Sequence, residues 1–279
     1  MTFLECYRNG RNILEKSGID SANFDATALF ASIFNVSRQG IYLNGDKIAD
    51  EETAERFFEA VKKRSEGEPL QYLLGKWEFR DLSLKVGKGV LIPREETEML
   101  VEFALEKNIG EPMCILDLCA GSGAISIACS EEIPNAEVTA VELSDEAIVY
   151  LSENIKAYGN KVKLSMDDVL SPRNLETIPQ QDIILSNPPY IPTEDLPGLQ
   201  REVLREPMMA LDGGADGLIF YRAILEHWLP KLKSGGWIAL EFGIGETKAL
   251  VEMLASAGLN EIEVRKDFSN IDRIIVAKK

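Results

Sequence analysis

The chain has almost no histidine: among 279 residues only His227 is present. A histidine-based metal site or catalytic triad therefore has nothing to be built from. Cysteine is also sparse. Cys6, Cys114, Cys119 and Cys129 form no C-x-x-C pair, which argues against a zinc site or a disulfide framework and leaves reduced thiols. No metal is expected. Long apolar runs are missing too, and nothing approaches the roughly 20 residues that a membrane-spanning helix needs. The opening MTFLECYRNG lacks the basic-then-apolar layout of a signal peptide. These absences lead to the expectation of a cytoplasmic protein with no membrane partner. Positive charge is in deficit as well: 30 Lys and Arg face 46 Asp and Glu, a formal net charge of −16. That balance opposes direct nucleic-acid binding, where Lys and Arg must neutralise phosphates, and suits a basic protein partner better.

What is present is an ordinary globular composition, 45% apolar, long enough for one sizeable α/β domain and a smaller one. Apolar residues at helical spacing open the chain (Phe3, Leu4, Ile13, Leu14), with Gly18 as a stop. Further helices are predicted over 24–34 and 50–67, the latter with acids in its first turn and bases near its end. Residues 1–68 read as a small helical domain. Residues 69–108 read as a connector: WEFRDLSLKV alternates as a strand or hairpin, Pro93 ends the extended part, and Glu95, Glu96 and Glu98 open a helix running through Leu105. From 109 to 279 strands and helices alternate. Strands are predicted at 113–118, 137–143, 161–166, 182–187, 237–242, 262–268 and 271–278, with helices after Gly123, after Ser144, around 217–233 and around 246–257. That alternation indicates a mostly parallel sheet covered on both faces. The last two strands, separated by Ser269-Asn270, should form an antiparallel hairpin. A seven-stranded, doubly wound sheet finishing in such a hairpin, with a small helical N-terminal domain before it, resembles the Rossmann-like methyltransferase fold. His227 falls on an amphipathic helix, and Trp77 and Trp228 suit packing.

Two stretches carry chemistry. The first predicted strand of the sheet runs into Cys119-Ala120-Gly121-Ser122-Gly123, followed by a helix. Glycine lets the chain turn sharply and a ligand approach the backbone. A ligandless turn, a dinucleotide site and an S-adenosylmethionine site compete for this loop. The dinucleotide signature wants a third glycine where Ser126 stands. Asp117, on the strand before the loop, fits the acidic-x-G-x-G-x-G signature of S-adenosylmethionine enzymes, with Cys119 in place of its first glycine. Cys119 fits there if its backbone needs no positive φ. Glu142, ending the next strand, can accept from ribose hydroxyls.

The second stretch, Ser186-Asn187-Pro188-Pro189-Tyr190, follows DIIL and so lies at the carboxyl end of a buried strand, where open α/β sheets bind ligands. Two prolines fix φ twice and remove two N–H donors, leaving a stiff turn of carbonyl oxygens. The Asn187 side-chain oxygen and the Pro188 carbonyl can each accept one N–H of a planar –NH₂ group, and Tyr190 adds an aromatic face. Such a corner pins a poor nitrogen nucleophile in line with a sulfonium methyl and stabilises charge developing on nitrogen. Asn187, Pro188 and Tyr190 are the candidate catalytic residues; Asn187, Pro188, Pro189 and Tyr190 are the candidate substrate contacts. Arg94 with Glu95, Glu96 and Glu98 reads either as cleft lining or as exposed helix-start charge. Glu206-Pro207 with Leu211-Asp212-Gly213-Gly214 reads as a loop over the site, mobile or static.

From Pro69 onward the sequence resembles the peptide chain release factor glutamine methyltransferases of the HemK/PrmC type. The resemblance rests on PLQYLLG (69–75), VLIPREETE (90–98), ILDLCAGSGAI (115–125), SNPPYI (186–191), EPMMALDGGADGL (206–218) and DRIIV (272–276), in that order. The tetrapeptide alone also occurs in DNA adenine and other nitrogen methyltransferases. The resemblance implies methylation of the glutamine in the Gly-Gly-Gln loop of release factors, with S-adenosyl-L-methionine as cofactor. It implies cofactor contacts from Cys119, Ala120, Gly121, Ser122, Gly123, Glu142, Asp168 and Val169, and from Asn187, which would also touch substrate. Pro188, Pro189 and Tyr190 would shape the glutamine pocket, and the helical domain would grip the release factor, with the enzyme a monomer. The chain departs from the family at Glu95 (usually proline), Glu142 (usually aspartate), Val169 (an aromatic) and Thr247 (glutamine). A ribosomal-protein glutamine, a nucleic-acid amino group and a regulatory, non-catalytic use of the cofactor are the alternative readings.

Overall fold

The computed structural model describes residues 1–279. The chain divides into two compact units, Met1–Lys76 with Gln200–Arg205, and Trp77–Leu199 with Glu206–Lys279. The boundary at Lys76–Trp77 falls inside the connector expected at 69–108.

The first unit holds five helices: α1 (Phe3–Lys16), α2 (Ala22–Ile33), α3 (Arg38–Leu43), α4 (Glu51–Ser65) and α5 (Leu70–Leu74). Thr2 and Glu5 form a capping box at the start of α1, and Asp50 accepts from Thr53 N at the start of α4. Both satisfy backbone donors that a helix start leaves open. The core is aromatic: Phe30 stacks on Phe34 at 4.1 Å between centroids and meets Phe3 and Phe57 edge-on. Gly10 lets α1 approach α4, since a Cβ there would lie 2.5 Å from the Phe57 ring. Buried Arg64 pairs with buried Asp25 at 2.6 Å and with Glu202 at 2.6 Å, which ties Gln200–Arg205 into this unit. The short helices α3 and α5 lacked a periodic apolar run long enough to be predicted.

The second unit opens with a hairpin of β1 (Lys76–Phe79) and β2 (Leu82–Lys85), and then α6 (Glu98–Lys107), preceded by a 3₁₀ turn at Glu95–Thr97. The sheet follows: β3 (Cys114–Leu118), α7 (Ala124–Glu132), β4 (Glu137–Glu142), α8 (Asp145–Ala157), β5 (Val162–Met166) and β6 (Gln181–Ser186). Then come α9 (Ile219–Ala223), which runs through a π-helical stretch at Ile224–Trp228, and β7 (Leu232–Glu241), α10 (Thr247–Ser256), β8 (Asn260–Lys266) and β9 (Asp272–Lys278). Strand order is β5-β4-β3-β6-β7-β9-β8. The β3–β4, β3–β6, β4–β5 and β6–β7 pairs are parallel, and β9 runs antiparallel to both β7 and β8. This is the predicted seven-stranded sheet with its closing hairpin.

Side chains alternate between two cores, as the strand period of two requires. Ile115, Ile183, Leu185 and Val276 face one layer with α6, α7 and α8, while Leu116, Ile184, Leu240 and Ile275 face the other with Tyr221, Trp228 and Leu250. Each fully buried Leu or Ile contributes about 1.5–3 kcal/mol. The predicted strand at 262–268 stops two residues early. The Asp267 carboxylate accepts from Ser269 N, Ile271 N and Arg273 Nε, and this turn leaves Phe268 fully exposed. His227 lies in the π-helical stretch rather than on an α-helix face. The chain winds outward from β3 to β5 and returns to β6 on the far side of β3. That reversal opens a crevice at the carboxyl ends of β3 and β6.

Candidate functional site

At the mouth of that crevice lies a cleft of about 1100 Å³, counted out to its open side. Its floor is the turn from β3 into α7. Ser186 Oγ donates to Leu118 O at 2.7 Å and locks the ends of β3 and β6 together. The loop then makes three left-handed residues in five: Cys119 (φ 61°), Gly121 (φ 55°) and Gly123 (φ 86°). The condition attached to Cys119 is thus not met, because a non-glycine residue occupies the left-handed region and carries strain of roughly 1–2 kcal/mol. The two glycines differ in purpose. A Cβ on Gly121 would meet only Val90, at 4.0 Å, so its backbone stays open to a ligand. A Cβ on Gly123 would strike Leu151 at 2.6 Å, so this glycine brings α7 close to α8.

Asp117 is fully buried beneath the loop, and its Oδ2 accepts from Ser126 N at 3.0 Å. It pins the first turn of α7 to β3. Burial pushes its carboxyl up to about 7 against that hydrogen bond, with Glu142 nearby adding to the rise. Glu142 borders the cleft and accepts three backbone N–H bonds, from Gly121 at 2.8 Å, Leu143 at 2.9 Å and Ser144 at 2.8 Å. Those use three of roughly four acceptor positions of a carboxylate. Glu142 therefore shapes the glycine loop and keeps part of its capacity for a ligand hydroxyl. Asp168 and Val169 also border the cleft. The Asp168 carboxylate accepts from Leu170 N at 2.8 Å, and Val169 is held from behind by Trp228, whose Nε1 donates to Val169 O at 3.0 Å. Neighbouring Asp167 is buried and organises its own loop by accepting from Asp168 N, Arg173 N and Asn174 N.

Asn187, one residue past β6, borders the cleft, and its Nδ2 donates to Thr97 Oγ1 at 3.0 Å. Pro189 borders the cleft as well. The structure brings Cys119, Ala120, Gly121, Ser122, Glu142, Asp168, Val169, Asn187 and Pro189 together. It does not bring Gly123, Pro188 or Tyr190 to this wall. Gly123 serves helix packing, Pro188 is buried, and Tyr190 packs into the second core, where burial raises its hydroxyl well above the usual tyrosine range.

Sequence reasoning missed several residues. Thr97 borders the cleft beside Asn187, and Val90, Pro93, Met209 and Phe220 add apolar wall. Arg94 is the only cationic side chain on that wall, and it pairs with buried Glu206, whose other oxygen accepts from Ile92 N at 3.0 Å. Of the helix-start charges, Arg94 alone lines the cleft; Glu95, Glu96 and Glu98 border a separate cavity beside Trp77. Pro207, Met209 and Ala210 close one side of the cleft. Gly213 follows in a tight backbone crossing, where Gly213 N donates to Ile191 O at 2.8 Å and a Cβ would lie 2.8 Å from the Tyr190 carbonyl carbon. Close approach is therefore what this glycine provides. Only the prolines, the glycines and the short Asp-Gly-Gly run hinted at this crossing from sequence.

The arrangement fits S-adenosylmethionine on observable grounds. A bare glycine backbone faces the cleft at Gly121, a carboxylate stands at the end of β4, and apolar Val90, Val169 and Phe220 can receive a ring. There is no group of three or more histidine, cysteine or acidic side chains that could hold a metal ion, and no helix is long and apolar enough to cross a membrane.

The family described as PrmC N-terminal domain matches residues 5–75, and the methyltransferase small domain matches residues 95–219. The chain is 38% identical to the release factor glutamine methyltransferase of Geobacter sulfurreducens, across 95% of this chain and 92% of the relative. It is 36% identical to that of Moorella thermoacetica (99% and 98%) and 35% identical to that of Bacillus cereus (100% and 99%). Among solved structures, the hMettl16 catalytic domain in complex with MAT2A 3'UTR hairpin 6 superposes with a TM-score of 0.58 at 14% identity, covering 82% of each chain. A methyltransferase from Pyrococcus furiosus gives 0.51 at 19% identity, covering 72% of this chain and 90% of that one. At those identities the two structures speak for the fold alone.

Proposed function

The chain belongs to the release factor glutamine methyltransferase family, and from that premise we propose how its own residues carry the reaction. The protein transfers a methyl group from S-adenosyl-L-methionine to the side-chain amide nitrogen of the glutamine in the Gly-Gly-Gln loop of peptide chain release factors. The carrying observation is Asn187, held rigidly at the cleft wall by Thr97, one strand away from the glycine loop. Bound cofactor supplies an electrophilic methyl with its own leaving group. The turn Cys119–Gly123 offers it open backbone, Glu142 takes a ribose hydroxyl, and Val169 covers the adenine from one side. Asn187 Oδ1 accepts one N–H of the incoming amide. That bond orients a weak nucleophile and stabilises the charge it develops as it loses a proton to solvent. Pro189 borders the amide's side of the cleft, and buried Pro188 and partly buried Tyr190 keep the corner stiff from behind.

We assign substrate recognition to the helical residues 1–68, connection to 69–108 and methyl transfer to 109–279. We propose that the protein acts in the cytoplasm, as a monomer. The experiment is direct: incubate the protein with labelled cofactor and a release factor, and map the label by mass spectrometry. Label on the Gly-Gly-Gln glutamine is expected. Label elsewhere in the release factor, or only on a ribosomal protein added in parallel, overturns the assignment.

A further inference from the structure

Behind Asn187 runs a short buried chain of hydrogen bonds. Asn187 Nδ2 donates to Thr97 Oγ1 at 3.0 Å, and Thr97 Oγ1 donates to Glu241 Oε2 at 2.7 Å. Thr97 is 4% exposed and Glu241 2% exposed. Glu241 is the last residue of β7, and its neighbour Leu240 pairs with Ser186, so the carboxylate and Asn187 end adjacent strands. Thr97 reaches both from the turn that starts α6. Burying a carboxylate here is costly, and burial pushes Glu241 up to about 7, with Glu96 adding to the rise and Arg273 and Arg94 opposing it. A side chain that only filled space at this strand end would do so at lower cost as leucine or methionine.

We propose that Thr97 and Glu241 are positioning residues that fix which way round the Asn187 amide sits. This deepens, and rests on, the reading of the cleft as a glutamine-amide methyltransferase site. An amide has a donor limb and an acceptor limb of nearly the same shape, so packing alone selects between them poorly. Above about pH 7 Glu241 is ionised, and a carboxylate only accepts. Thr97 has one hydroxyl proton and gives it to Glu241, so its oxygen can only accept from Asn187. The Asn187 limb facing Thr97 must then be Nδ2, and Oδ1 is left for the cleft that Asn187 borders. The reversed amide would set Asn187 N–H against the N–H of the substrate amide and leave Glu241 without its donor.

The full-length protein and three near-isosteric variants test this at about pH 8.5, where Glu241 is ionised. Thr97→Val removes the hydroxyl and keeps the shape, Thr97→Ser keeps the hydroxyl, and Glu241→Gln removes the acceptor-only end. Calorimetry with S-adenosylhomocysteine should show binding within about threefold of wild type for all three. In Thr97→Val, kcat on a release factor should fall roughly 10- to 100-fold with KM little changed, as expected for misplacement of a group that acts in the transition state. Thr97→Ser should recover most of that loss, and Glu241→Gln should fall between the two. Independently of turnover, the Asn187 side-chain amide protons, followed by NMR, should exchange with solvent faster in Thr97→Val and Glu241→Gln than in wild type and Thr97→Ser. The inference is overturned if Thr97→Val turns over within about twofold of wild type, if Thr97→Ser is as impaired as Thr97→Val, or if amide exchange is the same in all four proteins. A wild-type protein that methylates no glutamine overturns the functional reading instead, and the exchange measurement still decides the orientation of Asn187.

Discussion

Asn187 and Glu142 hold the two ends of the reacting system by different means. Asn187 offers one acceptor to a nitrogen on which charge develops. Replacing it by alanine should lower kcat by about 10²–10³-fold, the usual loss for one preorganised hydrogen-bonding group. The thermal midpoint should stay near that of wild type, because the side chain's only polar contact is with Thr97. A single-turnover assay beside a melting curve separates these outcomes. Glu142 acts on the ground state. In Glu142→Ala the N–H groups of Gly121, Leu143 and Ser144 lose their acceptor along with the ribose. Charged hydrogen bonds contribute about 1.5–3 kcal/mol, so the Kd for S-adenosylhomocysteine should rise roughly 10- to 100-fold by calorimetry. Cys119 raises a question of strain rather than contact. At φ 61° glycine is free and alanine is not, so Cys119→Gly should be more stable than Cys119→Ala by about 1 kcal/mol in urea unfolding. Equal stabilities would mean that the loop relaxes around the side chain.

Glycine at one crossing decides how an element meets its neighbour. Gly213 passes over the segment after β6, where a Cβ would lie 2.7 Å from Gly217 O and 2.8 Å from the Tyr190 carbonyl carbon. Both obstacles are backbone and cannot swing aside. Gly213→Ala should therefore push the Asn187–Tyr190 corner out of place, at a cost of about 1–3 kcal/mol in stability and with a fall in kcat larger than the change in cofactor affinity. Gly198→Ala, where a Cβ meets nothing within 4 Å, is the matched control and should leave both unchanged. If the two variants behave alike, the crossing does not set the corner. The same crossing shows what the sequence made legible. The runs ILDL and DIIL marked β3 and β6 because a strand buried on both faces reads as a continuous apolar stretch. The glycine loop and the double proline marked the cleft because their backbone chemistry is local. Thr97, Glu206 and Glu241 carried no such mark. Thr97 and Glu241 lie 144 residues apart, and Arg94 and Glu206 lie 112 apart. Glu206 read only as part of a loop over the site, and Thr97 and Glu241 had no role until the fold paired them. Strand ends were misjudged where a side chain caps the turn, as Asp267 does.

Taken over the whole molecule, buried acids make stability depend on pH in an unusual direction. Burial raises Asp117 from 3.8 to about 7 and Glu241 from 4.5 to about 7, and it lifts half-buried Glu246 from 4.5 to about 7 as well. In each case the folded protein holds a proton that the unfolded chain has already released across most of the range between those values. Stability from these groups is therefore complete below the unfolded values and lost as pH rises through about 7. Each fully protonated-versus-ionised difference tilts the curve by about 1.4 kcal/mol per pH unit. The net charge of −16 adds self-repulsion in the same direction, since it grows as acids ionise. Asp216, Asp267 and Asp272 oppose them: ion pairs and hydrogen bonds lower these below their usual 3.8, so their stabilisation fades only in more acidic solution. The urea midpoint should accordingly rise as pH is lowered from about 8 to about 5.5, and then fall again below about 4. Asp117→Asn keeps the acceptor for Ser126 N and removes the titration, so its curve should be flatter from about pH 7 down to about pH 5.5. A wild-type midpoint that is constant or highest at pH 8 would show that Asp117 and Glu241 are ionised in the folded protein at no cost, and that water or local opening reaches both.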